Sequence, residues 1–361
     1  MRLGVLTGGG DCPGLNAVLR ALVRRGVLEF GHDFVGILNG FDGLMQPDMT
    51  MPLGLDDVRG ILSRGGTILG TSNRANPFAY AVREGGHFVE RDLHDVALRR
   101  IRGLKLDGIV AIGGDGTLRI AHQLAERGVK IVGCPKTIDN DLMGTEKTFG
   151  FDTAVGVITE AIDRLYSTAE AHQRVMILEV MGRNAGFLTL EGGLAGGADL
   201  ILIPEIPYNV EVILNKLNEL REAKKKFAII AISEGARPVG GQQAVQDRAE
   251  DIPGRGVVRL GGSGKVLADL LAPHIEAELR VTVLGHLQRG GMPCASDRVL
   301  ATMYGAMVLD LVRDGRWDHM VCLQNGQLTF APLSESRKDR QVDPRGDAVR
   351  MARAMGVSFG D

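Results

Sequence analysis

Short apolar, β-branched runs recur along the chain, and most of them end in a polar loop rich in glycine. Such runs, separated by amphipathic stretches, predict buried parallel strands alternating with helices. The pattern predicts strands at 3–7, 34–38, 108–112, 130–134, within 172–186, at 200–204, 227–233 and 279–284, and a hairpin over 320–332 around Asn325-Gly326. Helices are expected from Asn16, as a cap, to about Phe30, around 55–63, over 92–104, from Thr117 to about Arg127, and over 154–168, 209–225, 263–279 and 296–313. A crossing into a second lobe is expected in the polar connector 144–153. Residues 236–258 lack periodicity and read as an insertion or mobile loop, and the tail reads as charged and partly helical.

Composition narrows the class. The chain has 361 residues, 44% of them hydrophobic, enough for one large domain or two ordinary ones. A formal net charge of -2 gives no reason to expect nucleic acid or a membrane surface as a partner. Cys12, Cys134, Cys294 and Cys322 lie far apart, which reads as reduced thiols of a cytoplasmic protein. The N-terminal run is broken by glycine too soon for a signal peptide, and no apolar run approaches the ~20 residues a bilayer span needs. Fifty glycines against 4% aromatics is unusual. They gather at the ends of apolar runs, where backbone approaches a ligand.

Two loops organise the rest. Gly113-Gly-Asp-Gly-Thr117 and Pro135-Lys-Thr-Ile-Asp-Asn-Asp141 follow neighbouring apolar runs. In open α/β sheets, ligands sit outside the carboxyl ends of the strands, so both loops should face one crevice. Gly8–Asp11, Met181–Arg183 and His286–Arg289 end three further runs. Glycine loops at one end and arginines at the other suit two phosphorylated ligands meeting head to head. Asp115 is a hard oxygen ligand for Mg²⁺, Asp139 can accept a hydroxyl proton, and Arg183 can stabilise a moving phosphoryl group. Blander roles stand beside these: Asp115 as a helix cap, Asp139 and Asp141 as a turn pair, His286 as a structural histidine.

With these motifs in this order, from Gly4 to about Leu309, the chain resembles bacterial-type 6-phosphofructokinases. The set comprises Gly-Gly-Asp-Gly-Thr, Pro-Lys-Thr-Ile-Asp-Asn-Asp, His-Gln-Arg, Met-Gly-Arg and Gly-His-Leu-Gln-Arg-Gly-Gly. The first of these alone also resembles NAD kinases and lipid kinases. The resemblance implies an α/β fold of two Rossmann-like three-layer αβα lobes with mostly parallel sheets and the site in the cleft between them. Residues 1–150 with about 288–335 would form the donor lobe, and 151–287 with about 336–361 the sugar-phosphate lobe.

The resemblance further implies transfer of a phosphoryl group from ATP, with Mg²⁺, to the 1-hydroxyl of fructose 6-phosphate in glycolysis. Gly10, Gly113, Gly114, Asp115, Gly116 and Thr117 would hold the donor, Asp115 on the metal, with Phe41 and Arg74 near the nucleotide. Thr137, Ile138 and Asp139 would meet the sugar's reacting end, Asp139 as base and Asp141 beside it. Met181, Gly182, Arg183 and Glu234 would line the sugar, and His286, Leu287, Gln288 and Arg289 its 6-phosphate. Arg174 and Arg280 match arginines lent to a neighbouring subunit, which implies a homodimer or homotetramer with shared sites. Gly116 and Lys136 occupy the donor-discriminating positions. Pyrophosphate-using relatives carry an acidic residue at the first and lysine at the second, so this chain is mixed. Glycine at 116 leaves room for an α-phosphate and favours ATP. Pyrophosphate is the alternative, and a non-catalytic sensor a third reading.

Overall fold

The computed structural model describes residues 1–247, 259–337 and 339–361. In chain order, the first part runs β1 (Arg2–Thr7), α1 (Leu15–Phe30), β2 (Asp33–Ile37), α2 (Asp42–Met45), β3 (Thr50–Pro52), the hairpin β4 (Tyr80–Glu84) and β5 (His87–Arg91), α3 (His94–Gly103), β6 (Gly108–Gly113), α4 (Asp115–Ala125) and β7 (Ile131–Pro135). Next come α5 (Phe151–His172), β8 (Val175–Val180), α6 (Phe187–Gly196), β9 (Leu200–Leu202), α7 (Val210–Glu222), β10 (Ala228–Ser233), β11 (Val245–Asp247), β12 (Arg259–Leu260), α8 (Ser263–Leu271) and β13 (Leu279–Val283). The last part is α9 (Ala295–Arg313), β14 (His319–Gln324), β15 (Gln327–Pro332) and α10 (Asp347–Ala354).

Two sheets carry the architecture. One has seven strands in the order β15-β14-β7-β6-β1-β2-β3, the other four in the order β13-β8-β10-β9. The pairs β14-β7, β7-β6, β6-β1 and β1-β2 are parallel, and β2-β3 and β14-β15 are antiparallel edges. All pairs of the second sheet are parallel. Strands such as β6 and β8 are buried along their whole length, as a sheet covered on both faces by helices requires. Leu3 and Val5 face α1 and α9, while Leu6 faces the layer that holds Leu118 and Leu124 of α4. The first of these layers continues through Phe149 and Ile158 to Met176 and Leu178, so the two sheets share one core.

Several expected boundaries shift for visible reasons. Asn16 does not cap α1; Gly14 does. The Asn16 side chain is buried and donates to the carbonyls of Arg64 and Gly65 and accepts from the N–H of Ile68. No helix forms over 55–63: Gly60 has φ 74°, outside helical space, although Val58 and Ile61 are buried. α5 runs past both expected ends and is stopped by Gln173 at φ 54°. α8 stops at Leu271, ahead of Pro273. The Asn325-Gly326 turn has φ 51° and 72°, the two positive values of a type I′ hairpin turn. Of the expected insertion, residues 248–258 lie outside the described residues.

Candidate active site

Parallel pairing brings the two organising loops together. Gly113 of β6 is in register with Pro135 of β7, and the N–H of Lys136 donates to the Gly113 carbonyl at 2.9 Å. On the other flank the N–H of Gly8, after β1, donates to the Ile112 carbonyl at 2.9 Å. Three loop tips therefore lie side by side at the carboxyl end of the sheet. They line a cavity of about 770 Å³ together with Met181, Arg183, His286 and Arg289 from the ends of β8 and β13. Asp115 and Asp139 face the same cleft.

Glycine is needed in this wall because Thr117 packs into it. A Cβ on Gly113 would stand 2.3 Å from the Thr117 Cβ, and one on Gly8 2.6 Å from its Oγ1. α4 starts directly at Asp115, and no side chain caps it. Its first N–H groups are thus open towards the cavity, the usual seat of a phosphate. Asp115 is exposed, with Arg119 Nη2 at 3.7 Å from its Oδ2. A Cβ on Gly116 would meet only Arg119 Nη2, at 4.0 Å.

The 136–141 loop is rigidly made. Lys136 is buried, and its Nζ donates to the Gly10 carbonyl. Thr137 Oγ1 accepts from the N–H of Asp139 at 3.1 Å, and Thr148 Oγ1 donates to the Thr137 carbonyl at 2.8 Å. Asn140 takes φ 54°, and its Oδ1 accepts from the N–H of Thr148. Burial pushes the Asp139 carboxyl up, opposed by the charges of Arg289 and Lys136. Burial, then Asp139 and Asp115, push Asp141 up to about 7. Glu234 follows β10 and is likewise pushed up to about 7, by burial and then by Asp139. Burial lowers Lys136. Asp139 and Asp141 line the cavity and Glu234 lies behind its lining, and these buried carboxylates repel one another in low dielectric.

Of the residues singled out from sequence, Gly10, Phe41, Gly114, Asp115, Gly116, Thr117, Lys136, Thr137, Asp139, Asp141, Met181, Arg183, His286 and Arg289 line the cavity. Others do not. Gly113 closes β6, and Ile138 is buried in the core. Arg74 is exposed, and its neighbours Asn73 and Asn76 line the cavity instead. Leu287 is exposed, whereas Gln288 is buried and accepts from the N–H of Met181. Gly182, at φ 142°, lets the 181–183 turn lie against Gly235, whose N–H donates to its carbonyl. Arg174 and Arg280 both bind Glu278 at the far end of the second sheet. Sequence reasoning missed Asn184 and Asp339, which also line the cavity. Asp339 sits in an aperiodic tail, where no pattern marks it.

Among the described residues, no group of three His, Cys, Asp or Glu side chains is arranged to cage a metal alone. Asp115 lies close enough to Asp139 and Asp141 to push both of those carboxyls up, and it fits a cation that arrives already bound to phosphates.

The sequence model of the phosphofructokinase family matches residues 2–312. The chain is 46% identical to the ATP-dependent 6-phosphofructokinase 2 of Clostridium perfringens, over 100% of this chain and 98% of that one. It is 49% identical to the pyrophosphate–fructose 6-phosphate 1-phosphotransferase of Amycolatopsis mediterranei, over 95% and 96% of the two chains. Among solved structures it matches the Pichia pastoris phosphofructokinase in the T-state with a TM-score of 0.78 and 32% identity. That match covers 93% of this chain and 35% of the longer one.

Proposed function

The chain belongs to the phosphofructokinase family, and from that premise we propose that its cleft transfers the γ-phosphoryl group of ATP to the 1-hydroxyl of fructose 6-phosphate. The observation that carries this reading is the shared cavity, lined by Asp115 and the open start of α4, by Asp139, and by Arg183, His286 and Arg289, with Arg289 donating to the Asp11 carbonyl at 3.3 Å. We assign residues 1–150 with about 288–335 to the donor lobe and 151–287 with about 336–361 to the sugar-phosphate lobe.

Phosphoryl transfer asks mainly for positioning and charge neutralisation. Donor phosphates would rest on the Gly8–Asp11 turn and the first N–H groups of α4. A Mg²⁺ carried by the donor, held through Asp115, would neutralise charge on the transferring oxygens. The sugar's 6-phosphate would be held by His286 and Arg289, its hydroxyls by Glu234 and the 181–183 turn. Asp139 takes the proton of the 1-hydroxyl as that oxygen bonds to the γ-phosphorus and the bond to ADP breaks. Burial suits this role, because it raises the basicity of the Asp139 carboxylate above that of an ordinary carboxylate. Arg183 faces the charge that develops.

ATP is favoured over pyrophosphate by space. Beyond Gly116 the cavity continues past Ile120 and Gln123 and is walled by Phe41, Asn73 and Asn76. Those α4 positions lie about 6–11 Å along the helix from Gly116, room for a nucleoside that pyrophosphate would leave empty. The relatives carry both donor names at similar identity, and Lys136 is the feature that favours pyrophosphate.

Arg174 precedes β8 and lies roughly 23 Å along the strand from Met181, so it cannot reach its own cleft. With Arg280 it stands on the β13 side of the second sheet, where β13 is an edge strand and Val283 is exposed. A second copy docked there would receive both arginines, which is the basis for proposing shared sites in a homodimer or homotetramer. Purified protein assayed with fructose 6-phosphate, Mg²⁺ and either donor tests the reading. Turnover with pyrophosphate alone would overturn the donor assignment, and no turnover with either would overturn the function.

A further inference from the structure

The chain re-crosses the cleft after β15, outside the region that the family model matches. Residues 339–342 touch both halves of the site. On the first-sheet side the N–H of Arg340 donates to the Asp141 carbonyl at 2.7 Å, Asp339 bridges Leu142, and Arg340 Nη1 donates to the Glu146 carbonyl at 2.6 Å. On the second-sheet side Asn184 Nδ2 donates to Asp339 Oδ2 at 3.2 Å, and the Arg340 guanidinium lies over the Phe187 ring at 4.6 Å. One side chain gathers these ends. Glu205 Oε1, just past β9, accepts the N–H of Val342 at 2.8 Å and the N–H of Gly186 at 2.9 Å. A Cβ on Gly186 would stand 2.4 Å from the Ile203 Cβ and 2.8 Å from Glu205 Oε2, so glycine permits both approaches. Oε2 itself is buried with no hydrogen-bond partner.

We propose that Glu205 is a positioning residue for phosphoryl transfer, clamping the tail segment 339–342 so that the Arg183 loop is held at a fixed separation from the Asp139–Asp141 loop. The inference rests on the function proposed above. Met181–Gly186 carries Arg183 and ends at the Gly186 N–H that Glu205 holds. On the first-sheet side the tail holds the carbonyl of Asp141, two residues from Asp139. Without Glu205 the tail keeps its Asp141, Asn184 and Phe187 contacts but loses the tie between the Val342 and Gly186 N–H groups, so the separation of the two loops is no longer fixed. Misplacement of a reacting group by about 1 Å costs on the order of 100-fold in rate. The 6-phosphate anchors, His286 and Arg289, follow β13 and make no hydrogen bond to residues 339–342, so the share of sugar-phosphate affinity that the 6-phosphate carries should survive a shift of the 181–183 turn. The paired N–H donors need only one acceptor oxygen, which an amide also offers.

The test is steady-state kinetics of the full chain with Glu205→Ala, Glu205→Gln and Arg340→Ala, alongside Tm and equilibrium binding of fructose 6-phosphate. The expected result is a kcat reduced about 10–100-fold in E205A and R340A, with KM and binding of the sugar phosphate within about 3-fold of wild type. E205Q should return kcat to within about 3-fold of wild type, because its carbonyl oxygen accepts both N–H groups. Unchanged kcat in E205A, or E205Q failing equally with E205A, would overturn the positioning role. So would loss of binding and Tm together with kcat, since that is ordinary destabilisation. A wild-type chain inactive with both donors would instead overturn the underlying functional reading, and this inference with it.

Discussion

Gly116→Asp isolates the donor argument. The position is the second residue of α4, its φ is not left-handed, and an added Cβ meets nothing closer than 4.0 Å. The variant should therefore fold, and an acid in the first helical turn is if anything stabilising by about 0.3–1 kcal/mol. Its carboxylate would occupy the open space beside the phosphate seat. Two unit charges about 5 Å apart at an effective dielectric near 20 repel by roughly 3 kcal/mol. The cleft is open to solvent, and Arg119 can swing towards the new charge, so about 1.5–3 kcal/mol is the realistic range. That corresponds to a fall of about 10–150-fold in kcat/KM for ATP. Gly116→Ala separates charge from bulk: a methyl group fits, so ATP turnover should fall by less than about 3-fold. The assay is coupled detection of fructose 1,6-bisphosphate with ATP varied at saturating sugar phosphate, beside calorimetric binding of ATP. If G116D keeps ATP kcat/KM within about 3-fold of wild type, the α-phosphate does not lie at this position and the case for ATP from Gly116 fails.

Three further outcomes follow from the same geometry. Asp139→Asn should lower kcat by about 10²–10⁴-fold with little change in sugar-phosphate binding. In the wild type, activity should drop as pH falls through the raised Asp139 pKa, an acid limb above the ordinary carboxylate range; a limb near pH 4 would exclude Asp139 as the base. Asp141 and Glu234 have folded pKa values raised to about 7, so the native state binds more protons than the unfolded chain between about pH 4 and 7. Stability of the ligand-free protein should therefore decline as pH rises across that window, and Asp141→Asn should raise stability at pH 8 by on the order of 2 kcal/mol; a Tm that climbs from pH 5 to pH 8 contradicts this. For shared sites, mixing Arg280→Ala with Asp139→Asn after reversible dissociation should restore about a quarter of wild-type activity, because hybrids assemble one intact site. No recovery, with a confirmed oligomer, argues that each chain works alone.

Much of the site is legible in the chain's own pattern. Apolar β-branched runs such as 108–112 can be satisfied only by burial on both faces, so they announce parallel strands. The loops that follow such strands must then gather at one sheet end. That reasoning puts Asp115 beside Asp139 with no knowledge of the packing. The turn at Asn325-Gly326 is legible for an equally local reason, since few residues tolerate its two positive φ values. By contrast, helix periodicity around 55–63 misleads, because one glycine with φ 74° ends what the spacing promises.

What only tertiary structure decides concerns partners distant in the chain. Asn16 looks like a cap from its neighbours and proves to be a buried tie to the 64–68 loop. Arg174 and Arg280 resemble site arginines, yet in a single chain they point at Glu278, far from the cleft. Asp339, Val342 and Glu205 carry no periodicity and no motif, and they meet across gaps of more than a hundred residues. Local pattern reports what each segment buries and how its own backbone is satisfied. Which carboxylate answers which N–H from another lobe depends on how the packed layers bring the chain back to itself.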